Sequence, residues 1–269
     1  MAWAGAGGYT VGPFSARTNH PQHILKETEP VPSYLDEFHV RDNGGVRVSR
    51  RQASRFAKEV AGDFNPIHDE DAKRFCVPGD LLFCLVLAHY GVSRRMAFTF
   101  QNMVGEGVEL CFPETDAPHL AIADAAGKVY LEVEREGEAS RDADLVGRMT
   151  QDYAAFSGQN FPHVLVPLMK SQDVMVNPQR PLVFYNSMAF EFAQWPVAGA
   201  PQLVFSGADL QVNGKRGDVD LNFDLVLDGQ VVGSGCKKLV LSGLRPFEQE
   251  VMDALVQQYD GWKAAYQAA

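Results

Sequence analysis

Eight consecutive residues, Leu81 to Ala88 (LLFCLVLA), carry no polar side chain. A bilayer span needs about 20 apolar residues, so the run is too short to cross one. Read as a helix it is apolar on every side, and such a helix has to be wrapped by other structure. Gly91 is placed as its C′ residue, and Pro78-Gly79 stands directly before it. The first N–H groups of a helix lack intrahelical acceptors and can receive a developing negative charge. A short way upstream, a carboxylate, Asp63, and an imidazole, His68, stand five positions apart across Asn65-Pro66.

That spacing implies a rigid frame. The residue before a proline avoids the α region, proline fixes its own φ, and asparagine side chains bond nearby backbone. A carboxylate and an imidazole that share one water need such fixed positions. Beside unpaired helix amides, the pair is suited to general acid–base chemistry. The same residues also read as a turn capped by Asp63 with His68 hydrogen-bonded beneath it, and residue chemistry alone leaves both readings open. The turn is delivered by a helix. Ser49 and Gln52 form a capping-box start, Ala53, Phe56, Ala57 and Val60 share one face, and Gly62 ends it.

Composition bounds the function classes. The chain has 269 residues, enough for one large domain or two ordinary ones, with 46% hydrophobic and 22% charged residues. A net charge of −10 argues against a broad nucleic-acid surface, which needs clustered Lys and Arg. Cys76, Cys84, Cys111 and Cys236 show neither C-x-x-C nor metal-ligand spacing, which favours a reducing compartment. The first twenty residues lack the basic-then-apolar order of a secretory signal, so a cytoplasmic location is expected.

Residues 1–33 are rich in Gly, Pro and polar side chains without a period and read as a poorly ordered arm. Strands are predicted over 97–103, 107–112, 119–124 and 128–136, the last two as a hairpin about Ala126-Gly127. From Thr150 the chain echoes itself. Ser157-Gly158-Gln159-Asn160-Phe161-Pro162-His163 reads as a decayed copy of Gly62 to His68, with Gln159 in place of Asp63 and the two glycines 96 residues apart. A neutral Gln cannot act as general base, so this copy reads as structural. Strands follow over 182–192, 202–212, 218–227 and 230–241, with Asn213-Gly214 and Asp228-Gly229 as turns. Met252, Leu255, Val256, Tyr259 and Trp262 form the stripe of a final amphipathic helix expected to dock on the sheet.

Gly62-Asp63-Phe64-Asn65-Pro66-Ile67-His68, with a helix before it and an apolar helix after it, resembles the MaoC-like hydratase/dehydratase family. The resemblance implies the hot-dog fold, an antiparallel sheet curved round one helix. With the internal echo, the expectation is an α+β double hot-dog: an N-terminal module over 34–140, a degenerate one over 141–247 and a C-terminal helix over 248–269. It further implies interconversion of trans-2-enoyl and (R)-3-hydroxyacyl thioesters. Asp63 and His68 would be the acid and base, Asn65 an orienting residue and Gly79 the oxyanion donor. No metal or redox cofactor is implied. The substrate would be an acyl-CoA or acyl-carrier thioester, with neither nucleic acid nor membrane as partner and a homodimer as one arrangement. Arg50, Arg51, Arg55 and Lys58 then read either as a solvated face or as a clamp for a coenzyme A phosphate. A hot-dog thioesterase, and a non-catalytic acyl-thioester binder or structural protein, are the alternative functions.

Overall fold

The computed structural model describes residues 33–268 except Asn43 and Gln159, so the expected arm lies outside the described residues apart from Ser33. Ser33 caps a 3-10 turn, Tyr34–Phe38. The strands β1 (Val40–Asp42) and β2 (Gly45–Arg47) come next. The helix α1 (Arg50–Arg55) starts at the expected Ser49–Gln52 capping box and widens into a π-helical turn, Phe56–Ala61. The apolar run lies in α2 (Gly79–Tyr90). The strands β3 (Arg95–Phe100), β4 (Glu109–Cys111), β5 (His119–Ala123) and β6 (Val129–Glu136) complete the first half. The expected strand over 97–103 stops at Phe100, because the chain peels off until the Val104 carbonyl accepts the Val77 N–H at 2.9 Å.

The second half opens with α3 (Ala143–Gly158), a short kinked turn α4 (Asn160–His163) and α5 (Leu165–Ser171). It continues through β7 (Val174–Met175), β8 (Leu182–Phe192), β9 (Gln202–Asn213), β10 (Arg216–Leu227), β11 (Gln230–Ser242) and β12 (Arg245–Pro246), and ends in α6 (Gln249–Gln267). Strand alternation and the two Gly-containing turns made the four long strands readable to within two residues at each end.

Ten strands form one sheet in the order β1-β2-β4-β5-β6-β3-β8-β11-β10-β9, and β7 pairs with β12 apart from it. The order β4-β5-β6-β3 in the first half matches β9-β10-β11-β8 in the second, read from the opposite edge. The fold is therefore an α+β double hot-dog. Its two halves join in the one sheet because β3 pairs antiparallel with β8 from Arg95↔Glu191 to Thr99↔Ser187. Each of these strands would otherwise expose a row of unpaired N–H and C=O groups.

The larger core is built round α2. Leu81 through Leu87 are each at most 3% exposed, and Phe83 packs edge-on to Phe98 at 4.9 Å and against Tyr153 at 4.2 Å. Full burial of such side chains contributes about 1.5–3 kcal/mol apiece. Thus the first-half helix is sandwiched between its own sheet and α3, which comes from the second half. A second core gathers Leu165 and Met169 of α5 with Leu210, Val219, Leu221 and Leu241 of the sheet. Met252 and Leu255 of α6 close it, so the final stripe does dock, while Trp262 at its far end is 37% exposed.

Candidate active site

The π-helical turn ends at Gly62, whose φ of 70° lies in the left-handed region that glycine tolerates. The N–H groups of Gly62 and Asp63 both donate to the Ala57 carbonyl, the latter at 2.7 Å. Asp63 Oδ1 accepts the Asn65 N–H at 2.9 Å, and Asn65 Oδ1 accepts the Ile67 N–H at 3.2 Å. Asn65 is thereby the cap of a 3-10 turn, Pro66–His68, with proline at its first position. Its side-chain oxygen orients the turn.

At the end of that turn His68 Nδ1 lies 2.7 Å from the Cys76 carbonyl oxygen. A carbonyl only accepts, so Nδ1 carries the proton and the lone pair of the neutral ring is on Nε2. Nε2 faces Asp63 Oδ2 at 3.7 Å, with side-chain exposures of 12% for His68 and 26% for Asp63. This separation exceeds a direct hydrogen bond, and it leaves both atoms able to face one small molecule.

Burial pushes the Asp63 carboxyl above the usual carboxylate range, and the Asp80 carboxylate adds to the rise. The neighbouring His68, the Asn65 N–H and Lys237 act against it. Asp80 stands in the first turn of α2. Gly79 begins that turn, and neither its N–H nor that of Asp80 donates to another described residue. A Cβ at Gly79 would lie 2.6 Å from Tyr185 Cδ1 and 3.2 Å from Phe100 Cε1, so only glycine lets these rings close on the helix start.

Further residues at the site come from sequence far away. The Phe64 N–H donates to the Tyr259 hydroxyl of α6 at 3.0 Å, and that hydroxyl lies 3.4 Å from the Gly62 carbonyl it donates to. The rings of Phe64 and Tyr259 meet edge-on at 6.1 Å. Asp80 is held on its other side by Ser157 of α3 and Lys237 of β11, all three being buried. In β11, Gly235, Lys237, Leu239 and Leu241 alternate along one face. That alternation is the signal which sets a lysine among inward positions.

The basic helix before the motif does not stand free. Arg50 pairs with Glu106, Arg55 with Glu37 and Glu59, and Lys58 with Asp69. Three of the four cations read as a clamp are therefore engaged within the chain. In the second copy, Gln159 lies outside the described residues and His163 is exposed. Gly158 packs on the Ala61 carbonyl, where a Cβ could not fit. Cys84 is fully buried, as expected of a small apolar thiol. Among the described residues no helix is long and apolar enough to cross a membrane.

Comparison with known proteins gives one family model, described as "Protein of unknown function (DUF3581)", which matches residues 33–250. No curated protein matches. Among solved structures, a conserved protein of unknown function with hot dog fold from Alicyclobacillus acidocaldarius is 11% identical. That match covers 81% of this chain and 100% of the other, with a TM-score of 0.44. An acyl-CoA thioesterase II, TesB2, from Mycobacterium marinum is 10% identical over 80% of this chain and 99% of that one, with a TM-score of 0.38. A MaoC-like dehydratase is 10% identical over 77% and 98%, with a TM-score of 0.39.

Proposed function

The chain belongs to the family described as a protein of unknown function (DUF3581), and for it we propose an acyl-thioester hydratase/dehydratase whose acid–base pair is Asp63 and His68. The observation that carries this reading is the aimed imidazole. The Cys76 carbonyl fixes the Nδ1–H tautomer and leaves Nε2 facing a carboxyl whose neutral form is favoured by burial.

Two such groups hold one exchangeable proton between them. In hydration, the pair takes a proton from water as its oxygen bonds to C3 of a trans-2-enoyl thioester. The C2–C3 π electrons move toward the carbonyl, and a proton is delivered to C2. The step is assigned to the pair as a unit. The Gly79 N–H supplies a donor toward the thioester oxygen as negative charge grows on it. Addition of water changes no overall oxidation state, so the reading calls on no redox group.

A second reading, acyl-thioester binding without turnover, has one observation in its favour: Tyr185 and Phe100 close tightly on Gly79. The test is to mix the protein with crotonyl-CoA and longer trans-2-enoyl-CoA esters at neutral pH and follow the conjugated-enoyl absorbance. Loss of absorbance without thiol release is expected. Thiol release in its place would assign a thioesterase, and acyl-CoA binding with neither signal would assign the binder.

A further inference from the structure

Lys237 lies on β11, third from the β9 edge of the ten-stranded sheet, and its side chain is 5% exposed. An unpaired buried charge is strongly disfavoured, so its partners define its purpose. Its Nζ lies 3.1 Å from Asp80 Oδ1 and also touches the Ser157 hydroxyl, which donates to Asp80 Oδ2 at 2.6 Å. The same Nζ stands 4.1 Å from the centre of the Tyr185 ring, the ring that closes on Gly79. Tyr185 in turn hydrogen-bonds Tyr153 of α3 through their hydroxyls.

The placement is unusual for an acidic residue in a first helical turn. Such a carboxylate ordinarily favours the positive end of its own helix and competes for the free N–H groups. Asp80 is instead drawn to the second half, with both oxygens engaged there. Its negative charge would otherwise stand uncompensated beside Asp63. The charged and titratable groups that act on Asp63 are His68, in contact on its own turn, with Asp80 of α2, Lys237 of β11 and Tyr259 of α6 acting through space. Those facing Asp80 are Lys237, Ser157, Asp63 and Cys84, with Tyr153 and Tyr185.

We propose that Lys237, lent by the second half, is a positioning residue for the candidate site: it pins and neutralises Asp80, stacks on the Tyr185 ring that closes on Gly79, and so leaves the Gly79 amide free at the start of α2. This rests on the reading of the pair as acid and base. It adds that the module without a complete motif supplies the charge that makes the other module's motif usable.

The test uses the full chain and two readouts, 13C NMR titration of the Asp63 carboxyl and the kinetics of enoyl-CoA hydration. Lys237→Met removes the cation and leaves Asp80, so the Asp63 titration should move upward. Asp80→Asn/Lys237→Met removes both charges and should return it toward the parent position. In kinetics, Lys237→Met should lower kcat by about ten-fold, a fraction of the loss of a direct oxyanion donor. KM should change little, and both the double variant and Lys237→Arg should recover part of kcat. If Lys237→Met does not fold, Asp80→Asn is compared with Asp80→Asn/Lys237→Met, and restoring neutrality should move the Asp63 titration upward. A parent without hydratase activity, but with these shifts, would sink the catalytic reading and keep the charge coupling. An active parent whose Asp63 titration and kcat ignore Lys237 would overturn the proposal.

Discussion

The two halves follow one plan and spend it differently. Each runs a helix into a glycine, a proline-containing turn, an apolar helix and the strand that meets its counterpart at the β3–β8 ladder. In the first half the apolar helix has twelve residues and is buried from Asp80 to Leu87. In the second it has seven, with Leu165 and Met169 buried. After Gly62 the turn brings a carboxyl and an imidazole face to face, whereas after Gly158 the corresponding His163 points to solvent. The second half has turned its motif into packing. Its Gly158 seats α3 on the end of the π-helical turn, and its Ser157, Lys237 and Tyr185 brace the start of α2.

The comparison breaks most visibly in activity. His68→Gln and Asp63→Asn should each lower kcat/KM for enoyl-CoA hydration by about 10²–10⁴-fold. The double variant should be little worse than either, as for groups that act in one step. His163→Ala should stay within a few-fold of the parent, and equal losses at both histidines would put chemistry in both halves.

The two motif glycines give the next contrast, in stability. Gly158→Ala forces a Cβ into the Ala61 carbonyl and should cost about 1–3 kcal/mol or more by overpacking. Gly62→Ala meets open space but holds φ at 70°, so about 1–2 kcal/mol is expected from backbone conformation alone. Urea unfolding of the pair checks the order. Tyr259→Phe strips the buried Phe64 N–H of its acceptor, at about 1–3 kcal/mol, and should reduce activity by loosening the turn. Unchanged stability there would mean that α6 does not brace the motif.

The smallest effect depends on pH. The folded Asp63 carboxyl titrates above its unfolded range, so the parent gains stability as pH falls and loses it as pH rises through the folded pKa. Asp63→Asn should therefore raise Tm at neutral pH. The gain should shrink on acidification, vanishing below the ordinary Asp range near ~4. A gain of constant size across pH would assign it to packing.

Much of this was legible from local pattern. The capping box at Ser49, the left-handed Gly62 and the apolar α2 each follow from a few adjacent residues, and the long strands from alternation. Asn65-Pro66 made a fixed turn legible, but whether it served an Asp63–His68 pair or only a capped turn was left open by the residues and tipped by the family resemblance. What local pattern could not give is partnership. Nothing near Asp80 says that a lysine 157 positions later will meet it, and nothing near Phe64 indicates Tyr259. The cations of α1 illustrate the same limit. A run of Arg and Lys looks free for a ligand phosphate until tertiary structure brings Glu37, Asp69 and Glu106 alongside.

The hydrogen bond from Phe64 to Tyr259 spans 195 positions of chain, and that span has a consequence in time. A ribosome adds about 5–20 residues each second, so on the order of 10–40 s separate the synthesis of the motif from that of its brace. During that interval Gly62 to His68 can curl locally, but Phe64 lacks the aromatic lid that buries it and its N–H lacks an acceptor. A growing chain would thus carry an apolar, unfinished turn on its surface, a natural point of contact for chaperones. The turn would be completed only as α6 arrives, so its final shape is withheld from the nascent chain.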